Sequence, residues 1–380
     1  MRLGISAGVY YPEMGGSGTY LRRLRADLMA AGHAVQVVCF GEDSSEPGVV
    51  RVSRRSAIPL RLLKFTWAAF RFLRRTDVWF VNEYGFSATL LAPLYRGPRV
   101  MKVIGDWAWE SGVNQGLVPP PGDPALGDPL LTFEPRRQHP RVEVRKAIRR
   151  VAAKRMDRVL VPSEYLARVV AGWGVPGERI VVIHNGIDVV ERPAPIEGRQ
   201  PGLIVTVARL TAWKGIDHLI RALVQVRRDV PQAQLLILGD GPERPGLTRL
   251  ASELGISGSV TFAGQVDRTV VHEHLARARA FALPSAYEGL PHVALEALTE
   301  GCPAVAAAAG GTPEVIRDEV DGLLVPYGDA DALARALTRL LTDRELAERF
   351  NTTGPQRVID EFSWQGTSAQ TVRFLAGLVR

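Results

Sequence analysis

Short apolar runs alternate with helical patterns from the first residues of the chain. Leu3 to Val9 reads as a strand, Gly18 to Ala31 as a helix and Ala34 to Phe40 as a second strand. A helix over Leu60 to Arg75 leads to strands at Val78 to Asn82 and Arg99 to Ile104. A helix over Val142 to Met156 is followed by strands at Arg158 to Pro162 and Ile180 to Ile183. Each strand is a short Val/Ile/Leu run, as expected of a parallel sheet covered by helices on both faces. Residues Gly112 to Pro140 interrupt the pattern; they are rich in Pro and Gly and include Pro119, Pro120 and Pro121. A structureless stretch of that length inside a domain is usually functional or disordered, and a mobile loop at a ligand cleft is the expectation.

The alternation stops between Asp188 and Pro201, where three prolines and no periodicity mark a linker. It then restarts with strands at Leu203 to Val207, Gln234 to Leu238, Val260 to Phe262 and Ala280 to Pro284. Helices over Ile216 to Asp229, Leu247 to Leu254, Val270 to Arg277 and Pro291 to Glu300 lie between and after them. The division expected is therefore an N-terminal domain over 1–187, a linker over 188–201, a second domain over 202–361 and a closing helix over 362–380. The fold class is α/β, with two Rossmann-like domains facing each other across a cleft, the usual place for a ligand.

A chain of 380 residues with 46% hydrophobic and 23% charged residues has enough apolar surface for two cores. The net charge of +7 favours anionic partners without choosing between nucleic acid, lipid and phosphorylated small molecules. Cys39 and Cys302 are far apart in apolar surroundings, which argues against a disulfide framework and fits a reducing compartment. The start reads as a strand rather than a signal peptide, and no run of about 18 apolar residues occurs. A cytoplasmic protein is expected. Arg54, Arg55, Arg61, Lys64, Arg71, Arg74 and Arg75 flank Phe65, Trp67, Phe70 and Phe72, so peripheral contact with anionic lipid at the inner face of the plasma membrane stays open. The same helix is also needed to cover the sheet. No recognition module for nucleic acid is present.

Two stretches carry chemistry. In Ser285-Ala-Tyr-Glu288-Gly289-Leu290-Pro-His-Val-Ala-Leu-Glu296, two carboxylates flank the start of a helix. Backbone N–H groups at Gly289 and Leu290 there would suit phosphate oxygens. A cap at Glu288 and a solvated Glu296 would explain the same pattern without a ligand. In Val207-Ala-Arg209-Leu-Thr-Ala-Trp-Lys214-Gly, two cations follow a strand and precede a helix, where ligands bind in such sheets. An Arg fork and a Lys point charge together neutralise a diphosphate; a solvated pair of cations is the plainer alternative.

Together these stretches resemble glycosyltransferase family 4, the retaining glycosyl transferases group 1 of GT-B architecture. The resemblance extends to Pro162-Ser163-Glu164, His184-Asn185-Gly186-Ile187-Asp188, Gly239-Asp240-Gly241-Pro242, Gly310-Gly311-Thr-Pro-Glu314 and Asp321-Gly322-Leu-Leu-Val325. One such motif is weak, but seven in family order are specific. The resemblance implies that Arg209 and Lys214 hold a donor diphosphate, Glu288 hydroxyls of the transferred sugar and Glu296 the ribose. Gln265 and Val266 would lie against the base, and Gly310 and Gly311 near the donor. The Gly15-Gly16-Ser17-Gly18 turn would lie over the donor; a dinucleotide fingerprint fails there because Leu21 stands where a third Gly is needed.

Gly105 departs from the family pattern, in which a His pointing at the acceptor is common; Asp106 remains beside it and is expected to orient an acceptor hydroxyl or support the developing charge, a turn residue at the strand end being the plainer alternative. Asp329 and Asp331 read as a helix start rather than a metal site, and His272 and His274 fall on different helix faces. The expected activity is retaining transfer from a nucleotide-diphosphate sugar to a hydroxyl on a glycan, lipid-linked or small-molecule acceptor, without metal or other cofactor. A catalytically silent nucleotide-sugar binder and an NAD-linked enzyme are the alternatives.

Overall fold

The computed structural model describes residues 1–11, 16–42, 46–83, 85–121 and 127–379. Contacts divide the chain into two compact units. The first comprises Met1–Gly112, Glu134–His184 and Gln365–Arg380, and the second Val113–Phe133 and Asn185–Trp364.

The first unit contains β1 (Arg2–Ala7), β2 (Ala34–Phe40), β3 (Val49–Val52), β4 (Val78–Asn82), β5 (Arg99–Lys102), β6 (Arg158–Val161) and β7 (Ile180–Val182). They form one parallel sheet in the order β3-β2-β1-β4-β5-β6-β7. The helices of this unit include α1 (Gly16–Ala30), α2 (Ile58–Leu73), α3 (Gly85–Leu91), α4 (Trp107–Asn114), α6 (Pro140–Lys154) and α7 (Glu164–Gly172), and those of the second unit include α8 (Ile216–Asp229) and α9 (Arg244–Glu253). The second unit contains β8 (Gln200–Val207), β9 (Gln234–Leu238), β10 (Val260–Gly264), β11 (Ala278–Leu283), β12 (Ala304–Ala307) and β13 (Leu323–Val325). Their order is β10-β9-β8-β11-β12-β13, again all parallel. In each sheet the winding reverses beside the unit's first strand, between β1 and β4 and between β8 and β11. Those reversals open a crevice at the carboxyl ends of the strands.

The expected α/β class with two parallel sheets and a final helix, Trp364–Ala376, is what the chain adopts. Three strands lay outside the expectation. Val49–Val52 is only four residues long and follows a Pro-Gly turn. Ala304–Ala307 carries no strand signal, because alanine has little strand preference; flanked by β11 and β13, all four of its residues are buried. Leu323–Val325 has three residues. The stretch from Gly112 to Pro140 is not without structure: Asp128 accepts from the backbone N–H groups of Leu130 and Leu131 and starts α5 (Pro129–Phe133). Its residues 122–126 lie outside the described part of the chain.

The Pro-rich stretch before β8 is anchored rather than loose. Arg199, 3% exposed, donates to the backbone oxygens of Leu275, Ala278, Ala194 and Glu300. One guanidinium thus satisfies carbonyls at the ends of two helices, α10 (Arg268–Arg277) and α11 (His292–Thr299), and ties them to the start of the second sheet. In the first unit, Lys102 at the end of β5 is also buried, with its ammonium 3.5 Å from the Tyr20 ring centroid. Burial lowers its pKa to about 7, against a Coulombic pull from Glu83 that raises it.

Two outcomes follow from these buried cations. Arg199→Met strands several carbonyls at once and should cost about 2–4 kcal/mol in urea unfolding; a loss below 0.5 kcal/mol, the ordinary level of a surface substitution, contradicts the anchoring role. For Lys102, the folded-state pKa lies below the unfolded value, so the unfolded chain binds more protons between the two. Stability should therefore rise with pH from about 8 to 10, and Lys102→Met should flatten that rise in urea midpoints measured across the range.

Candidate functional site

The crevice of the second unit is built by the loops that follow β8, β9, β10, β11 and β12. Backbone hydrogen bonds lace them together. Ala286 N–H donates to Trp213 O at 2.8 Å, Gly311 N–H to Glu288 O at 2.8 Å, Leu210 N–H to Asp240 O at 3.0 Å and Gly239 N–H to Gly264 O at 2.7 Å. Two of these approaches demand glycine. Gly215 has φ +64° and a Cβ there would overlap the Pro284 carbonyl oxygen; Gly310 has φ +59° and a Cβ there would overlap the Glu288 backbone. These glycines let the loop after β8 and the loop after β12 each lie directly on the loop after β11.

That contact fixes the central charges. Lys214 ends a short helical turn and Gly215 opens α8 (Ile216–Asp229). Lys214 Nζ sits 2.7 Å from Glu288 Oε1, and both side chains are largely covered. Arg209 lies exposed on the same loop. Glu296 is on α11 and buried, with Oε1 3.0 Å from Arg268 Nε at the start of α10. Burial pushes the Glu296 carboxyl upward while Arg268 and His272 pull it down. His272 Nδ1 lies 2.7 Å from Glu300 Oε1, and that hydrogen bond raises the imidazole pKa.

Several sequence readings change. Glu296 is not solvated. Glu288 does not cap a helix, because α11 starts at His292 with Pro291 as its N-cap. Gly289 and Leu290 therefore precede the helix rather than forming its first turn, and the Leu290 side chain is buried. Gln265 and Val266 directly follow β10; Gln265 is exposed and Val266 packs on the apolar core. Gly310 and Gly311 lie in the loop after β12. In the first unit, Gly16 and Gly18 belong to the first turn of α1, and a Cβ on Gly16 would meet nothing within 4 Å. Gly15 falls outside the described residues.

Asp106 has a different role from the one expected. It is 1% exposed; Oδ1 accepts from Ala108 N at 3.0 Å and Trp109 N at 3.1 Å, which caps α4. Its other oxygen pairs with the buried Arg149, which also binds Glu134. A carboxylate so occupied holds α4 in place rather than facing an acceptor. The buried Arg149, 43 residues further along the chain, left no local sign of this pairing.

Other contacts escaped the sequence reading. Asn185 Nδ2 lies 2.9 Å from His292 Nε2, linking the start of the second unit to the start of α11. In the first unit Ala7, Asn82 and Lys102 stand in register at the last positions of β1, β4 and β5. Glu83 follows with φ +58°, an uncommon backbone for a side chain of that size, and its N–H donates to Lys102 O at 3.0 Å. Asn82 is 2% exposed and its Oδ1 has no hydrogen-bond partner among the described residues. Positive φ and long-range register are not visible in a single sequence.

The comparisons agree with this fold. The profile of the Glycosyltransferase Family 4 matches residues 14–191, and that of Glycosyl transferases group 1 matches residues 191–357. A GDP-mannose-dependent alpha-(1-6)-phosphatidylinositol monomannoside mannosyltransferase of Mycolicibacterium smegmatis is 36% identical over 46% of this chain. The match spans only 48% of that relative's length, and 65% of a Mycobacterium tuberculosis relative of the same description at 32% identity over 61% of this chain. An MMP alpha-(1->4)-mannosyltransferase of Mycolicibacterium hassiacum aligns over 98% of this chain and 97% of its own at 28% identity. Among solved structures, sucrose-phosphate synthase from Thermosynechococcus elongatus superposes with a TM-score of 0.81 at 24% identity, covering 99% of this chain and 98% of that one. Anabaena HepE in complex with UDP and glucose gives 0.79 at 18% identity, covering 99% and 100%; these two show the fold. Two parallel sheets, the laced loops at the second sheet's edge and consecutive family matches from residue 14 to 357 lead to one assignment: the chain belongs to the group 1 glycosyl transferases of Glycosyltransferase Family 4.

Proposed function

We propose that this protein transfers a sugar from a nucleoside-diphosphate donor to a hydroxyl acceptor with retention at the anomeric carbon. The observation that carries the reading is the covered Lys214–Glu288 pair beside exposed Arg209, at the point where the second sheet reverses. A diphosphate brings more negative charge than one carboxylate. It takes over Lys214 and recruits Arg209, and Glu288 is released to accept hydrogen bonds from the sugar. The C–O bond to the leaving phosphate then breaks as both cations neutralise the charge that develops on it, and the acceptor hydroxyl attacks from the same face, passing its proton to the departing phosphate oxygen. The two cations supply charge that a divalent ion would otherwise carry, so the proposal includes metal-independent transfer. Glu296, anchored by Arg268, receives the ribose hydroxyls; Gln265 and Val266 border the base; Gly310 and Gly311 leave room beside the sugar. Asp106 acts through α4 as a positioning residue.

The mannosyltransferase relatives make GDP-mannose the first donor to test, and the UDP complex of HepE makes UDP-glucose the second. Removing one pre-positioned donor from a developing charge typically costs 10²–10³ in turnover. Arg209→Ala and Lys214→Ala should each lower kcat for sugar transfer by roughly 10²-fold without a shift in melting temperature for Arg209→Ala. Unchanged transfer in both variants contradicts the proposal. A wild-type protein that binds the nucleotide sugar but never turns it over points instead to a silent binder, and preferential binding of NAD points to a dinucleotide enzyme.

A further inference from the structure

The helix α2 covers the first sheet with only part of its surface. Phe65, Ala69, Phe72 and Leu73 are buried, as sheet covering requires. The opposite side is apolar too. Leu60, Leu63, Trp67 and Phe70 recur at i, i+3, i+7 and i+10, which places them on one stripe. All four are exposed, Leu63 to 67% and Trp67 to 59%. Leu94, 68% exposed, extends the patch, since it shares a groove with Phe70 and Arg74. A contiguous apolar stripe of this kind on a soluble face marks a contact with something else.

The charge around the stripe identifies that partner. From Arg51 to Arg75 the chain has eight Arg or Lys residues and no Asp or Glu. Lys64, Arg71 and Arg74 are exposed and fall on the same outward half of the helix as the stripe. The Arg71 guanidinium lies 4.7 Å from the Trp67 ring centroid, so a cation and an indole present themselves side by side. A protein partner's apolar patch would match the stripe but leave the cations to find acidic residues of its own. An anionic bilayer offers both at once: acyl chains for Leu63 and Trp67, and phosphate headgroups for the flanking cations. No helix among the described residues is long and apolar enough to cross a membrane, so the contact is one of lying on the surface.

We infer that the outward face of α2 is a docking surface for anionic membrane, with Leu63 and Trp67 inserted below the headgroups. This rests on α2 alone and not on the reading of the donor site. The test is co-sedimentation of the full chain with vesicles of phosphatidylcholine, with and without phosphatidylglycerol, at low and high salt. The protein should sediment with the anionic vesicles, less so at high salt, and weakly with phosphatidylcholine alone. Leu63→Glu/Trp67→Glu should reduce binding at least about tenfold. Lys64→Glu/Arg71→Glu should erase the preference for phosphatidylglycerol. Because all four side chains are exposed, melting temperatures of both variants should match the wild type, which separates lost docking from lost folding. The inference is overturned if wild-type protein stays in the supernatant with anionic vesicles, or if the Leu63/Trp67 variant sediments like wild type. It is overturned equally if the wild type dimerises in sedimentation velocity and that variant is monomeric, for the stripe is then a contact between copies of the chain.

Discussion

The close approach of backbone to backbone at the carboxyl edge of the second sheet governs the rest of the site. Gly215 against Pro284 and Gly310 against Glu288 leave no space for a side chain, so the loops after β8, β11 and β12 are held at hydrogen-bond distance from one another. Such proximity is what brings Lys214, at the end of one loop, within 2.7 Å of Glu288 on the next. Without it the two charges would be separate solvated groups on neighbouring loops, and neither would be positioned for anything. Fixing groups in advance on a rigid frame is also what charge stabilisation in catalysis requires.

The acidic residues of the site each have a cationic partner: Glu288 has Lys214, and Glu296 has Arg268. Largely covered carboxylates would otherwise carry a substantial desolvation cost. The pairs differ in what surrounds them. The two carboxylates are covered to a similar degree, and burial is the main force on the Glu296 carboxyl, whose partner Arg268 stands at the start of a helix. Glu288 shares its cation with the loop that also bears exposed Arg209, so a ligand with phosphate groups competes for that cation directly. One pair is thus suited to exchange partners and the other to hold a fixed geometry.

The motif from Ser285 to Glu296 and the Arg209–Lys214 loop could be placed at the sheet edge from the sequence, because strand, turn and helix patterns locate them. What periodicity could not give was the partner of each charge. Lys214 and Glu288 are 74 residues apart, and Asp106 and Arg149 are 43 apart, so their pairing depends on sheet order rather than on local pattern. The same holds for strand Ala304–Ala307, whose alanines have no strand preference of their own and are extended because β11 and β13 flank them. The helix expected over Pro291 to Glu300 forms as His292–Thr299, with Pro291 as its N-cap. Glu288 lies ahead of it and is turned to Lys214, a pairing that local pattern does not reveal.

The most direct measurement is a crystal structure of the protein with a nucleoside diphosphate bound. Phosphate oxygens within hydrogen-bond distance of both Arg209 and Lys214, with Glu296 on the ribose, are the result this account requires. A nucleotide bound elsewhere on the chain, with the Lys214–Glu288 pair intact and Arg209 in solvent, contradicts it.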